Sequence, residues 1–229
     1  MNKIEQIPEF EVIREAQLAY QGISLHDLEE KRGKIAEVQY ARGFLLPHRG
    51  YFCPSLIQDI VIGNARRGRL IRHPRKESIP EYTYGFDLAG KLICVEKEFN
   101  FEWIFYEADR RQIGLTFLKR NASILDVSVC QYDDQGRLLS YLHGYSYTLN
   151  GTPMGIWSEY YQYDADQMNV TMYDYFQSGK NFIAKQERYC FTLENGVLKS
   201  YHSLSKESAT EVPVSIIRKV SQPIGRAMY

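Results

Sequence analysis

The chain has 229 residues, 44 % of them apolar and 24 % charged, an ordinary globular mixture that argues against disorder. Lys plus Arg and Asp plus Glu both number 28, so no global field steers the molecule to nucleic acid, and any electrostatic partner must be met locally. No apolar stretch has the length of a bilayer, and the opening MNKIEQIPEF places acids and a proline where an export signal needs an unbroken apolar run; the expectation is a cytoplasmic protein with no membrane partner.

Residues 1–76 read as an N-terminal helical segment that packs on a C-terminal sheet. Pro8 opens a stretch in which Phe10, Ile13, Ala16 and Tyr20 recur at helical spacing, and Gly22 stops it. Ser24 stands three residues before Asp27, the spacing of a capped N-terminus, which predicts a helix through Lys31. Gly33 ends that helix, or the helix continues to Arg42. Pro54 and the Ser55-to-Gln58 spacing ahead of Ile57, Ile60 and Val61 favour a short helix, with a strand as the alternative because of the β-branched content.

From Tyr82 the period changes from 3.6 to 2, and residues 77–229 read as an antiparallel β-meander domain. Turns are expected at 87–90, 107–111, 133–136, 150–151, 164–167, 177–180 and 194–196, and EVPVSIIRKV makes a last strand. The expected fold is α+β, mainly β: a long curved meander of about ten strands with two or three N-terminal helices, forming one structural unit.

Aligning the turns on their acids exposes a degenerate repeat. Tyr84-Gly-Phe-Asp-Leu-Ala-Gly-Lys-Leu92 recurs as Cys130-Gln-Tyr-Asp-Asp-Gln-Gly-Arg-Leu138 and, in shorter form, as Tyr161-Gln-Tyr-Asp-Ala-Asp-Gln167. In each full copy the Asp can accept backbone amides across the turn, and the Gly supplies the positive φ that closes it. The pattern resembles the YD repeat, Y-x-Y-D-x-x-G-R-L, of bacterial polymorphic toxin shells and of shorter hairpin-repeat proteins, over residues 82–200. It departs from that pattern where Cys130 replaces the first Tyr and where the third copy loses Gly and Leu. At this length the resemblance implies a small immunity-like or accessory protein rather than a toxin shell.

Tyrosine is abundant, at 18 residues. Strand alternation puts Tyr141, His143, Tyr145 and Tyr147 on one face, and Trp157, Tyr161 and Tyr163 on one face of the next strand with Tyr160 opposite. Such a face is either strand propensity and amphipathic cover or a recognition surface for a protein partner. Arg66, Arg67, Arg69, Arg72, Arg75 and Lys76 form a basic run without an intervening acid. It reads as a solvated loop or structural ion pairs, or as a contact to an acidic protein partner; without a phosphate loop or nucleic-acid motif, nucleic acid or a phosphate ligand is disfavoured.

Catalytic signatures are missing: the five histidines are isolated, and no nucleophile elbow, zinc motif or dinucleotide fingerprint occurs, so no catalytic residue, metal or cofactor is assigned. Cys53, Cys94, Cys130 and Cys190 are expected to be buried free thiols. Glu96, Glu98, Glu102 and Glu107 read as strand-edge charges that discourage pairing with other chains.

The residues support two functions. The first is a non-enzymatic protein-binding module that uses the aromatic face (Tyr141, Tyr145, Tyr147, Trp157, Tyr161, Tyr163) and the basic segment (Arg66, Arg67, Arg69, Arg72). The second is a small-molecule-binding protein or enzyme whose curved sheet encloses a ligand near His143, Glu159 and Asp174. An exposed tyrosine face over a packed interior favours the first, and converging His and carboxylate groups inside the sheet favour the second.

Overall fold

The structure, a computed structural model, describes residues 3–42, 48–62, 69–71, 80–120, 123–148, 151–194, 197–204 and 212–213. Helix α1 (Pro8–Ala19) buries Phe10, Ile13 and Ala16, the periodic set expected, and Pro8 stands in its first turn. In α2 (Leu25–Arg32) the Ser24 hydroxyl accepts from the Asp27 amide while the Asp27 carboxylate accepts from the Ser24 amide, so each group satisfies the other. Gly33 caps that helix, and residues 37–42 are strand, not a continued helix: Val38 and Gln39 pair with Gly85 and Tyr84 across the chain.

Thirteen strands among the described residues form one antiparallel sheet: β1 (Glu37–Arg42), β2 (Arg69–Ile71), β3 (Tyr82–Phe86), β4 (Leu92–Glu96), β5 (Asn100–Tyr106), β6 (Arg111–Leu118), β7 (Ile124–Tyr132), β8 (Leu138–Tyr147), β9 (Pro153–Asp164), β10 (Gln167–Ser178), β11 (Asn181–Glu194), β12 (Val197–Ser203) and β13 (Val212–Pro213). From β3 to β13 each strand pairs with its sequence neighbour, and β1 and β2 add to the β3 edge. The N-terminal segment therefore supplies both helices and two strands of the same sheet.

The repeat turns share one geometry. Asp87 Oδ1 accepts from the Ala89 and Lys91 amides, Asp133 Oδ1 accepts from those of Gln135 and Arg137, and Gly90 and Gly136 have φ of 76° and 73°. The third copy turns differently, through Ala165 at φ 43°. Two further reversals, at Lys97–Asn100 and beyond Leu118, divide stretches that carry no turn glycine.

Both faces of the sheet are covered. On the outer face α1 packs over β7 to β9, its Ile13 and Ala16 clustering with Val127, Val129 and Leu142, while Leu28 of α2 joins Ile93, Cys94 and Trp103. On the inner face lie residues 48–62, whose last part is a π-helical turn (Ile57–Ile62) with its Gln58 amide capped by Ser55, as the spacing predicts. This segment shows why the sheet curls. The Tyr51 amide donates to the Tyr84 hydroxyl on β3, and the Leu56 amide donates to the Tyr161 hydroxyl on β9. The two tyrosines stand six strand spacings apart, roughly 29 Å on a flat sheet, yet five residues of chain reach at most about 18 Å. The curvature of the sheet brings both hydroxyls within easy reach of this short segment.

The four cysteines are buried free thiols. Among the described residues, no helix is long and apolar enough to cross a membrane.

Candidate functional site on the inner face

Strand register sets the inner face. Glu102, Thr116 and Asp126 face one another across β5, β6 and β7; the next row is Ile104, Gly114, Ser128, His143, Trp157 and Asp174, and a third carries Gln112, Cys130, Tyr141 and Glu159. Into this face points Arg49, with a buried side chain. Its guanidinium donates to Glu102 through Nε at 2.9 Å, to Gln112 through Nη1 at 2.6 Å and to Ser128 through Nη2 at 3.0 Å. Gly114 makes the room: a Cβ there would collide with Glu102 Oε1, Arg49 Nη2 and Ser128 Oγ. Arg49 itself sits at φ 61°, a left-handed backbone that costs a non-glycine residue about 1 kcal/mol and that these bonds hold in place. Burial alone would raise the Glu102 carboxyl, but Arg49, then His48, outweigh it and hold it well below the usual carboxylate range. Glu102, read from sequence as an edge charge, is thus a buried counter-ion; of the other three, Glu96 pairs with Lys119 at 2.7 Å, Glu107 accepts from Tyr20, and Glu98 is exposed.

Beside this cluster stands a pair of stacked imidazoles. His48 and His143 have ring centroids 4.4 Å apart. His48 Nδ1 meets the Tyr141 hydroxyl at 2.9 Å, and its Nε2 lies 3.3 Å from Glu102 Oε2 without hydrogen-bond alignment. His143 Nε2 is buried and has no hydrogen-bond partner; the nearest carboxylate oxygen, Asp126 Oδ1, is 3.8 Å away. Desolvation, and then the neighbouring His48, push the His143 pKa well below its ordinary 6.5, so the ring is neutral at pH 7. Burial also raises the Asp126 carboxyl, although the Ser146 amide donates to it. Asp126 and His143 keep 28 % and 12 % of their side-chain surface, although the His143 Nε2 atom itself is buried.

The tyrosines predicted as a surface occupy three environments. Tyr141 and Tyr161 are 0 % and 5 % exposed, their hydroxyls committed to His48 and Glu159, so they are core and not a docking face. Tyr147 does not share their face: Ser146 at φ 56° breaks the alternation, and Tyr147 lies with Ile13 near Gly144 under α1. Tyr145 stays on the inner face, half-buried; glycine at 155 lets its ring cross β9 and its hydroxyl donate to Asp174 at 3.0 Å. Trp157 and Tyr163 are partly buried, the latter donating to the Leu138 carbonyl.

Glu159 is sealed. It accepts from Ser55, Tyr161 and the Trp157 indole, which ties residues 55–57 to β9, so it is an internal anchor and not a ligand contact. Desolvation raises its carboxyl above the ordinary range despite those donors. Of the basic run, Arg69 is exposed on β2, while Arg66, Arg67, Arg72, Arg75 and Lys76 lie outside the described residues. Sequence reasoning missed His48, Arg49, Glu102 and Asp126. For Glu102 a signal exists: Phe101, Trp103 and Phe105 alternate with Ile104 and Tyr106, so both faces of β5 are apolar and a carboxylate among them has to be buried.

No family model matches the sequence, and neither a curated protein nor a solved structure matches it.

Proposed function

We propose that the inner face binds a small molecule, and that His143 and Asp126 are its polar contacts, with His143 able to accept a proton from it. The observation that carries this reading is the buried, unpartnered His143 Nε2 facing Asp126 across 3.8 Å. A buried polar atom costs free energy unless it finds a partner, and a ligand hydroxyl approaching from the side at hydrogen-bond distance from both atoms would supply one to each. A neutral imidazole is the form that can accept a proton. The walls beside it, His48, Tyr145 and Trp157, are flat and aromatic, which suits a ligand with a planar apolar body. The arrangement is also held rigid. Arg49 and Glu102 fix one side, and Tyr141 fixes the His48 ring.

Burial of Tyr141 and Tyr161 withdraws the main support for docking a protein on the tyrosine face. Benzyl alcohol, a planar body with one hydroxyl, is a direct probe. Its addition should move the His143 ring nitrogen resonances, and His143→Phe should abolish its binding while leaving the melting temperature within a few degrees. A probe that perturbs only outer-face resonances, or that binds His143→Phe unchanged, would refute the proposal.

A further inference from the structure

Lys97 stands two residues after Val95 and so shares the inner face, just past the end of β4. Its ammonium lies 4.6 Å from the centroid of the Tyr82 ring, and among the described residues no carboxylate comes within ion-pairing distance of it. Its charge reaches Glu102, Asp126 and His143. Neither acid is a full counter-ion for it. Glu102 is already neutralised by Arg49 at 2.8 Å, and burial works against ionisation of Asp126. Burial likewise lowers the Lys97 pKa, the signature of a cation that has lost water without gaining an anion.

We propose, resting on the small-molecule reading above, that the ligand carries one anionic group, a carboxylate, which pairs with Lys97 while its planar body lies beside His143. The Tyr82 ring lies on one side of the ammonium, and the carboxylate would approach from another. A single ammonium suits a monoanion. A phosphate dianion would need further donors, and the inner face offers it no second unpaired cation among the described residues, while Asp126 stands close by. Lys97 is thus a specificity-determining residue that selects acids over the corresponding alcohols.

Benzoate and benzyl alcohol, matched in their planar body, test this by calorimetry together with the His143 ring resonances. Wild type should bind benzoate about tenfold more tightly than benzyl alcohol, and Lys97→Met should remove that preference without weakening benzyl alcohol. If both probes move His143 with equal affinity, or if Lys97→Met keeps the preference, the anionic inference fails while the site stands. If neither probe moves His143, the site reading itself fails and takes the inference with it. The wild-type ratio depends on no variant folding.

Discussion

Replacing Arg49 by methionine removes the cation from the inner face while keeping an apolar stem of similar length. The Arg49 and Glu102 side chains are 2 % and 5 % exposed, so water cannot take over the lost role. Glu102 can escape the bare charge by taking a proton. At pH 7 that costs about 3.4 kcal/mol for a carboxyl of ordinary pKa 4.5, within the roughly 3–5 kcal/mol typical of breaking a buried pair. Gln112 and Ser128 also lose a donor, adding about 1 kcal/mol. The expected loss is therefore about 4 kcal/mol, or roughly 8–16 °C in melting temperature for a chain of this size. The loss should shrink as pH falls toward 5, since protonation of the orphaned Glu102 becomes cheaper. Arg49→Met with Glu102→Leu should be more stable than Arg49→Met alone, because the orphaned charge is gone. Urea denaturation of the wild type, both single variants and the double variant at pH 7 and 5.5 measures all of this. A loss below 1 kcal/mol for Arg49→Met, or strict additivity in the cycle, would show that the pair is not the buried ion pair described.

Gly114→Ala should destabilise the protein by about 3 kcal/mol or more, since the new methyl meets Glu102, Arg49 and Ser128 and the cluster has to move; thermal unfolding reads it, and a neutral result would mean that the guanidinium does not lie over β6. Gly136→Ala should cost about 1 kcal/mol at φ 73°, and Asp133→Ala a similar amount through its lost turn amides, with the sheet otherwise intact by circular dichroism. His143, whose folded pKa lies below its ordinary 6.5, contributes stability that is complete above pH 6.5 and is lost as pH falls below it. The groups facing it are His48, Tyr145, Asp126, Glu102, Arg49 and Lys97, and His143→Gln should flatten the wild-type decline in stability between pH 7 and 5.

The meander is legible in sequence because each strand's turn is local chemistry. Asp87 with Gly90 and Asp133 with Gly136 announce their hairpins before any tertiary contact is known. Reversals without glycine, such as that at Lys97–Asn100, leave no such mark. Strand β1 is hidden for a different reason: Glu37 to Arg42 holds few apolar residues, and its strand state comes from pairing with β3 more than forty residues on. Tyr147 obeys alternation until Ser146 departs from it, which no side-chain pattern reveals. The site is the least legible part. His143 can be singled out, but no local pattern around His48 and Arg49 marks them for burial, and only the curl of the sheet carries them against Glu102 and Asp126.

Histidine ring nitrogen NMR from pH 8 to 4.5 tests the inner-face site most directly, because it reads the protonation state of His143 itself. A neutral His143 ring at pH 6.5, taking up a proton only well below that value, is the expected result. A His143 ring already cationic at pH 7, paired with Asp126, would contradict it and remove the proton acceptor on which the proposal rests.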